Sequence, residues 1–381
     1  MKTLSARSYV VRLGACFALL VVLVVMSPGV GTELRSFGWS DVWRARLGMA
    51  MSGAGASRFD TNGDGSLDQA EEDAFRATGR IYFELRMART MLALAAGVTL
   101  ALCGATLQVL FRNPLATPYT LGIASGGSLG ALIAMRCGWE RTLVLVRIGG
   151  QDIGVSSLTL AAFVGGLAVV GTVLLLARGA KKLTSNEFLL AGVTMGLLCS
   201  ALMMMVTFIS TERQTFRMIW WMMGSLDTIS TMRAATMLPV LVPAWGVLLL
   251  SARALNQHRL GDELAASRGV NVTVLQTTCV LACTLATATV VAYCGPIGFI
   301  GLVVPHIVML LCGSDCRVLL PAAGLLGGAF VILCDWASQL ALPLAGQLSG
   351  KEFGSAKLPI GVVTAVVGVP VFLLLLRLRR R

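Results

Sequence analysis

The chain has 381 residues, of which 56% are hydrophobic and only 13% charged, with a mean hydropathy of +0.80. Soluble domains carry about 25% charged residues, so a soluble globular protein is excluded and a helical integral membrane protein is implied. The net charge of +12 does not point to nucleic acid, because the basic residues sit in short clusters at the ends of apolar runs, where they read as topology signals.

Taken in chain order, apolar runs lie at about 9–26, 87–110, 119–135, 156–177, 188–209, 233–250, 272–294, 300–311, 318–342 and 360–376. Several reach the roughly 20 residues that carry a helix across a hydrocarbon core of about 30 Å. The expectation is an all-α membrane protein of about ten transmembrane helices. The basic start and long apolar run of MKTLSARSYVVRLGACFALLVVLVVMSPG also fit a signal peptide. The run is long enough to span, however, and no A-x-A-like cleavage site follows closely, so residues 1–28 are read as a retained first helix. Residues 29–86 form a polar segment, and 87–381 the membrane core, with a polar stretch at 255–272.

Basic residues in the short loops set the orientation. With both termini in the cytoplasm of a cell's inner membrane, Arg112, Arg178, Lys181, Lys182, Arg253, Arg259, Arg268 and Arg317 all fall inside, and 29–86 falls outside. Most of the ten cysteines lie within apolar spans as small buried thiols. The pair Cys312 and Cys316 lacks the further ligands of a zinc set. The methionines between Met195 and Met237 read as flexible core filling.

The segment FDTNGDGSLDQAEE, Phe59 to Glu72, follows the EF-hand pattern. Asp60, Asn62 and Asp64 take positions 1, 3 and 5, Gly65 the turn at 6, Ser66 the carbonyl at 7, Asp68 position 9 and Glu71 position 12. Hard oxygen ligands at this spacing suit Ca²⁺, and Gln69 to Thr78, stopped by Gly79, reads as the exit helix; the alternative is a solvated acidic loop.

The phosphate loop G-x-x-x-x-G-K-[ST] does not occur, so the chain is not itself an ATPase of that class, and no paired nucleophile and base suggest an enzyme. The informative stretches are LQVLFRNPLATPYTLGIASGG, with two prolines breaking a helix beside small residues; LNQHRLGDELAASRGVNV, whose Asp262-Glu263 start and Arg268 near the end suit a short helix; and CGPIGFIGLVVPHI, a glycine-broken re-entry.

Together with ELRMARTMLALAAGVTL, LLAG, WMMGSL and LPIGVVTAVVGVPVFLLLL, these stretches resemble the FecCD permease subunits of type II ABC importers, which take up iron-siderophores, haem and cobalamin. The resemblance implies the fold of those permeases and pairing with a second copy. It also implies a translocation path between the two, with Gln108, Asn113, Pro114, Gly298 and Pro305 as candidate path residues. Leu260, Gly261, Asp262, Glu263, Ala265 and Gly269 are implied as the coupling region for a separate cytoplasmic ATPase. Arg86 and Arg89 are implied as the docking site for a substrate-binding protein, with snorkelling anchors as the alternative reading.

Two departures stand out. Where the family pattern has an Asp followed four residues on by Arg, Asp335 is followed by Gln339; and ELPxG reads KLPIG, with Lys357 for Glu, after an added LAGQLSGKEFGSA. The calcium-type loop is a further addition, beside Arg86. An ion-gradient-driven secondary transporter and a calcium-dependent receptor remain the other classes compatible with the residues.

Overall fold

The computed structural model describes residues 6–30, 39–47, 60, 68–139, 141–148, 151–179, 185–227, 231–349 and 357–379. Its elements are helices α1 (Ala6–Met26, continued by a 3-10 turn at Ser27–Gly29), α2 (Trp39–Leu47), α3 (Gln69–Leu110) and α4 (Ile123–Arg136), then strands β1 (Thr142–Ile148) and β2 (Gln151–Ser156). Helices α5 (Ser157–Gly179), α6 (Ser185–Phe208), α7 (Glu212–Met222), α8 (Thr231–Ala235), α9 (Leu238–Leu250), α10 (Ala252–His258), α11 (Asp262–Ser267), α12 (Val272–Cys294), α13 (Ile300–Cys312), α14 (Cys316–Ser349) and α15 (Ile360–Arg379) follow. Nine of the ten apolar runs each fall on one helix, and 233–250 divides between α8 and α9. Six described helices are long and apolar enough to cross a membrane, or seven if α9 and α10, bent by 48°, count as one span.

Helix α3 is the axis of the fold. At 42 residues it is about 63 Å long at 1.5 Å per residue, twice the hydrocarbon thickness. The sequence suggested that Gly79 ends a short helix after the acidic loop. Instead the helix runs through Gly79, because that residue is buried and the turns on both sides of it are packed. On the projecting part, Val42 and Ala45 of α2 pack with Phe75 into a small separate core flanked by Tyr82 and Phe83.

Within the membrane part, close approach is made by glycine. A Cβ on Gly97 would stand 2.2 Å from the Gly327 carbonyl oxygen of α14, and one on Gly104 2.0 Å from that of Gly301 in α13. Backbones this close lose no side-chain entropy and gain dispersion contacts that lipid cannot match. α4 and α5 repeat the device: a Cβ on Gly165 would lie 2.3 Å from the Gly126 oxygen. The antiparallel β1–β2 hairpin, pairing Thr142 with Ser156 and Ile148 with Gln151, was not anticipated. Its TLVLVRI and QDIGVS lie between two apolar runs, and the short β-branched alternation was masked by the strong helical signal on either side.

Candidate functional site

Two polar clusters are built on α3, one near each end of its membrane part. From Arg89 to Leu110 is 21 helical steps, about 32 Å, close to the thickness of the hydrocarbon core.

At the first end, three separated motifs are tied by backbone. Ser225 N–H donates to Cys294 O at 2.8 Å and Gly361 N–H to Met223 O at 3.0 Å. WMMGSL, GPIGF and LPIG thus meet in one knot. Gly224 (φ 75°) and Gly295 (φ 67°) adopt left-handed backbone there, and a Cβ on Gly224 would stand 2.7 Å from Pro296 O. Phe299, a non-glycine residue at φ 66°, starts α13 and is packed by Gly368 of α15.

Beside this knot, Arg89 Nε donates to Asp335 Oδ1 at 2.6 Å, and its Nη1 donates to Asp227. Gln339 Nε2 donates to Asp335 Oδ2 at 2.8 Å. The residue standing where the family pattern has Arg therefore caps the buried carboxylate. Lys357 Nζ lies 3.8 Å from Asp227, whose side chain is 63% exposed. Asp227 was not picked out from the sequence; its only signal is its place directly after WMMGSL.

Arg86 and Arg89 were expected on an outer rim. Both are instead only 8% exposed. Arg86 Nη1 donates to Pro28 O at 3.0 Å and its guanidinium lies over the Tyr82 ring. An arginine this close to the membrane is held inside by such acceptors and by the ring face that receives its charge.

At the other end, in the stretch expected to couple, the short helix that starts at Asp262-Glu263 is α11, and α10 precedes it. Gly261, at φ 132°, separates α10 from α11, and Gly269 at φ 83° ends the second. Asp262, Glu263 and Gly269 are exposed, Gly261 is half-buried, Leu260 and Leu264 are 60% and 50% exposed, and Ala265 is fully buried.

This unit is bound to the bundle at fixed points. Arg112, at φ 48° just past α3, donates from Nη2 to His258 O at 2.6 Å and to the Asp262 carboxylate. His258 Nε2 lies 2.9 Å from Leu110 O; a carbonyl only accepts, so that nitrogen carries the proton and satisfies one of the helix's orphan carbonyls. His258 Nδ1 lies 3.4 Å from Asp262 Oδ1. On the far side, Asn256 Nδ2 donates to Asp315 Oδ1 at 2.6 Å, and Arg259 donates to Ser314 O.

The candidate path residues divide. Gln108 is buried and donates from Nε2 to Gly301 O at 3.0 Å. Asn113 Oδ1 accepts from Leu115 N–H at 2.9 Å, shaping the turn that exposes Pro114. Pro305 is buried within α13, and Gly298 stands just before that helix in open space. Gln108 meets α13 at Gly301, one turn before Pro305 and three residues after Gly298.

Of the calcium-type ligands, Asn62, Asp64 and Ser66 lie outside the described residues. Asp68 Oδ1 accepts from Glu71 N–H at 2.8 Å and Glu71 Oε2 from Asp68 N–H at 3.1 Å, a capping box at the start of α3.

The comparisons agree with this architecture. Residues 19–378 match the model of the FecCD transport family. The vitamin B12 import system permease protein BtuC of Salmonella typhi is 36% identical over 309 residues, 81% of this chain and 87% of that protein. BtuC of Escherichia coli O9:H4 (strain HS) is 36% identical over 311 residues, with the same coverage. A solved metal-chelate type ABC transporter in an inward-facing conformation superposes with a TM-score of 0.73 at 24% identity, covering 96% of this chain and 98% of its own. The chain PsaBC from Streptococcus pneumoniae, solved with a Fab, gives a TM-score of 0.50 at 12% identity, over 76% and 90%. With a family match across nearly its whole length and the motifs of that family gathered at the two ends of α3, this chain belongs to the FecCD transport family and is the permease subunit of an ATP-driven importer.

Proposed function

We propose that two copies of this chain form a path for a metal chelate of the cobalamin, haem or iron-siderophore type through an inner membrane, with both termini in the cytoplasm. An ATPase would engage the Arg112 end and a substrate-binding protein the Arg89 end. The observation that carries this reading is the single continuous α3 with a charged joint at each end. A helix cannot compress, so a push on α11 delivered through Asp262, Arg112 and His258 would be felt near Arg89, about 32 Å away. Cobalamin is the favoured cargo within the class, on the 36% identity to the vitamin B12 permeases.

The exposed part of the coupling unit is small and amphipathic: Leu260 and Leu264 are exposed apolar groups beside the charged Asp262 and Glu263. That composition suits insertion into a cleft of another protein. The second copy would cover the α6–α7 face, where an apolar groove of about 630 Å³ is lined by Met203, Met204, Phe208, Ile219 and Met222. Met204 and Phe208 are 74% and 89% exposed there. In this reading Gln108 and Pro305 shape the path by setting α3 against α13, and Asn113, Pro114 and Gly298 act where the chain bends.

Docking of a binding protein is proposed at the Arg89 end, with Asp227 and Lys357 as the charges that meet solvent and Arg86 and Arg89 as the buried support behind them. The loop 60–71 is proposed to hold Ca²⁺ and to order the segment that precedes α3 on the same side. The deciding experiment is uptake of radiolabelled cyanocobalamin into vesicles containing this chain with its ATPase and binding protein. Uptake that requires ATP and stops in Gly261→Pro is expected; ATP-independent uptake would refute the reading.

A further inference from the structure

At the Arg112 end a cavity of about 260 Å³ is lined by Ala105, Gln108, Val109 and Arg112, with Met309 of α13, Leu319 of α14, Arg259 and Pro114 around it. The four α3-side residues recur at i, i+3, i+4 and i+7, so they form one stripe. Three features of this cavity call for an occupant of a particular chemistry.

Deep in it, Gln108 is 6% exposed. Its Nε2 is fixed on Gly301 O, which prevents the carboxamide from turning over, and its Oε1 is buried with no partner among the described residues. A buried acceptor left without a donor is costly. One water would satisfy it but takes only about 30 Å³, a small part of the space.

At the mouth, Arg112 and Arg259 are exposed. Each guanidinium has five N–H donors. Among the described residues, acceptors engage two of Arg112's, at His258 O and Asp262, and one of Arg259's, at Ser314 O. Both keep donors for an anion, and phosphate suits their geometry.

The walls between are apolar, and beside Met309 the side chains of Leu310 and Leu311 are 57% and 52% exposed, as on a surface that meets acyl chains. The end of a membrane-spanning bundle is the depth at which phospholipid headgroups lie. Basic pockets between membrane helices are suited to anionic headgroups.

We propose that this cavity binds the glycerol phosphate headgroup of an anionic phospholipid, phosphatidylglycerol, with the phosphate on Arg112 and Arg259 and a glycerol hydroxyl donating to Gln108 Oε1. Phosphatidylcholine offers no donor for Gln108. The ammonium of phosphatidylethanolamine would be drawn in beside two guanidiniums. A bound lipid here would brace α3 against α13 and α14 next to the coupling helices.

The test uses the full-length chain, purified in neutral detergent and stripped of lipid, in native mass spectrometry. Phosphatidylglycerol and phosphatidylcholine with identical acyl chains are titrated, and glycerol 3-phosphate is titrated separately. One phosphatidylglycerol is expected to bind about tenfold more tightly than phosphatidylcholine, the worth of about one hydrogen bond to the buried Gln108 acceptor. Arg259→Gln and Gln108→Leu should each bring it down to the phosphatidylcholine level. Arg259 is exposed, so its variant decides the matter even if Gln108→Leu fails to fold. Equal binding of the two lipids, or a preference that survives Arg259→Gln, overturns the proposal. Glycerol 3-phosphate binding as tightly as the lipid would make the source soluble, and also overturns it. So does loss of phosphatidylglycerol when the chain is isolated with its protein partners attached, which would give the cavity to a partner's side chain.

Discussion

Arg89 and Asp335, 246 residues apart in sequence, form a buried ion pair at 2.6 Å that joins α3 to α14. Gln339 covers the other oxygen of the carboxylate at 2.8 Å, and Asp227 takes a second guanidinium nitrogen. Each charge in this cluster is therefore paired and hydrogen-bonded, the condition under which ions persist out of water.

Asp335→Ala is expected to destabilise the chain by about 3–5 kcal/mol, because Arg89 is left charged and buried. Asp227→Asn, at a 63% exposed side chain, should cost less than about 1 kcal/mol. Thermal unfolding in detergent would rank them; equal midpoints for the two variants would show that burial does not set the energetics here.

Gly104→Leu places side-chain atoms where the Gly301 backbone stands 2.0 Å from the new Cβ. Backbone cannot rotate aside, so α3 and α13 must separate, at a cost of about 1–3 kcal/mol or more. Gly246, with nothing within 4 Å, should accept Ala with little change. A trypsin-resistance assay on membranes would distinguish the two.

Arg112→Ala removes both bonds to the proposed coupling unit, which His258 still ties to α3 at Leu110 O. The expected phenotype is loss of coupling: transport falls about tenfold or more while ATP hydrolysis by the partner continues, as for a mutation that removes differential contacts between two states. Parallel loss of transport and hydrolysis would instead indicate failed assembly.

Removing a calcium ligand requires care, since Asp68 and Glu71 also cap α3. Asp68→Ala should cost about 1 kcal/mol whether or not calcium is present, as loss of an N-cap does. Asp60→Ala with Asp64→Ala leaves the cap intact. If the loop binds Ca²⁺, that double variant should abolish the calcium-induced shift in unfolding temperature seen with the unchanged chain at millimolar Ca²⁺. No shift in the unchanged chain would remove calcium from the account.

The ten apolar runs determined the helices, because a bilayer leaves the backbone no other way to satisfy its polar groups, and the long motifs around GPIGF and LGDELAASRG determined the family. Asp68 and Glu71 read as calcium positions, and their D-x-x-E spacing is that of a capping box at the start of α3. What local spacing could not show is where charge goes once helices pack. Arg86 and Arg89 stand at the start of an apolar run and read as an outer docking site or as snorkelling anchors, yet their acceptors, Pro28 O and Asp335, come from other parts of the chain. Asp227 and His258 were silent for the same reason, since each acts on partners over a hundred residues away or across a turn. Gly79 read as a stop until packing on both sides of it overrode its low helix propensity. Periodicity and hydropathy are properties of a segment; an ion pair or a cavity such as that around Gln108 belongs to several segments at once, and only tertiary packing creates it.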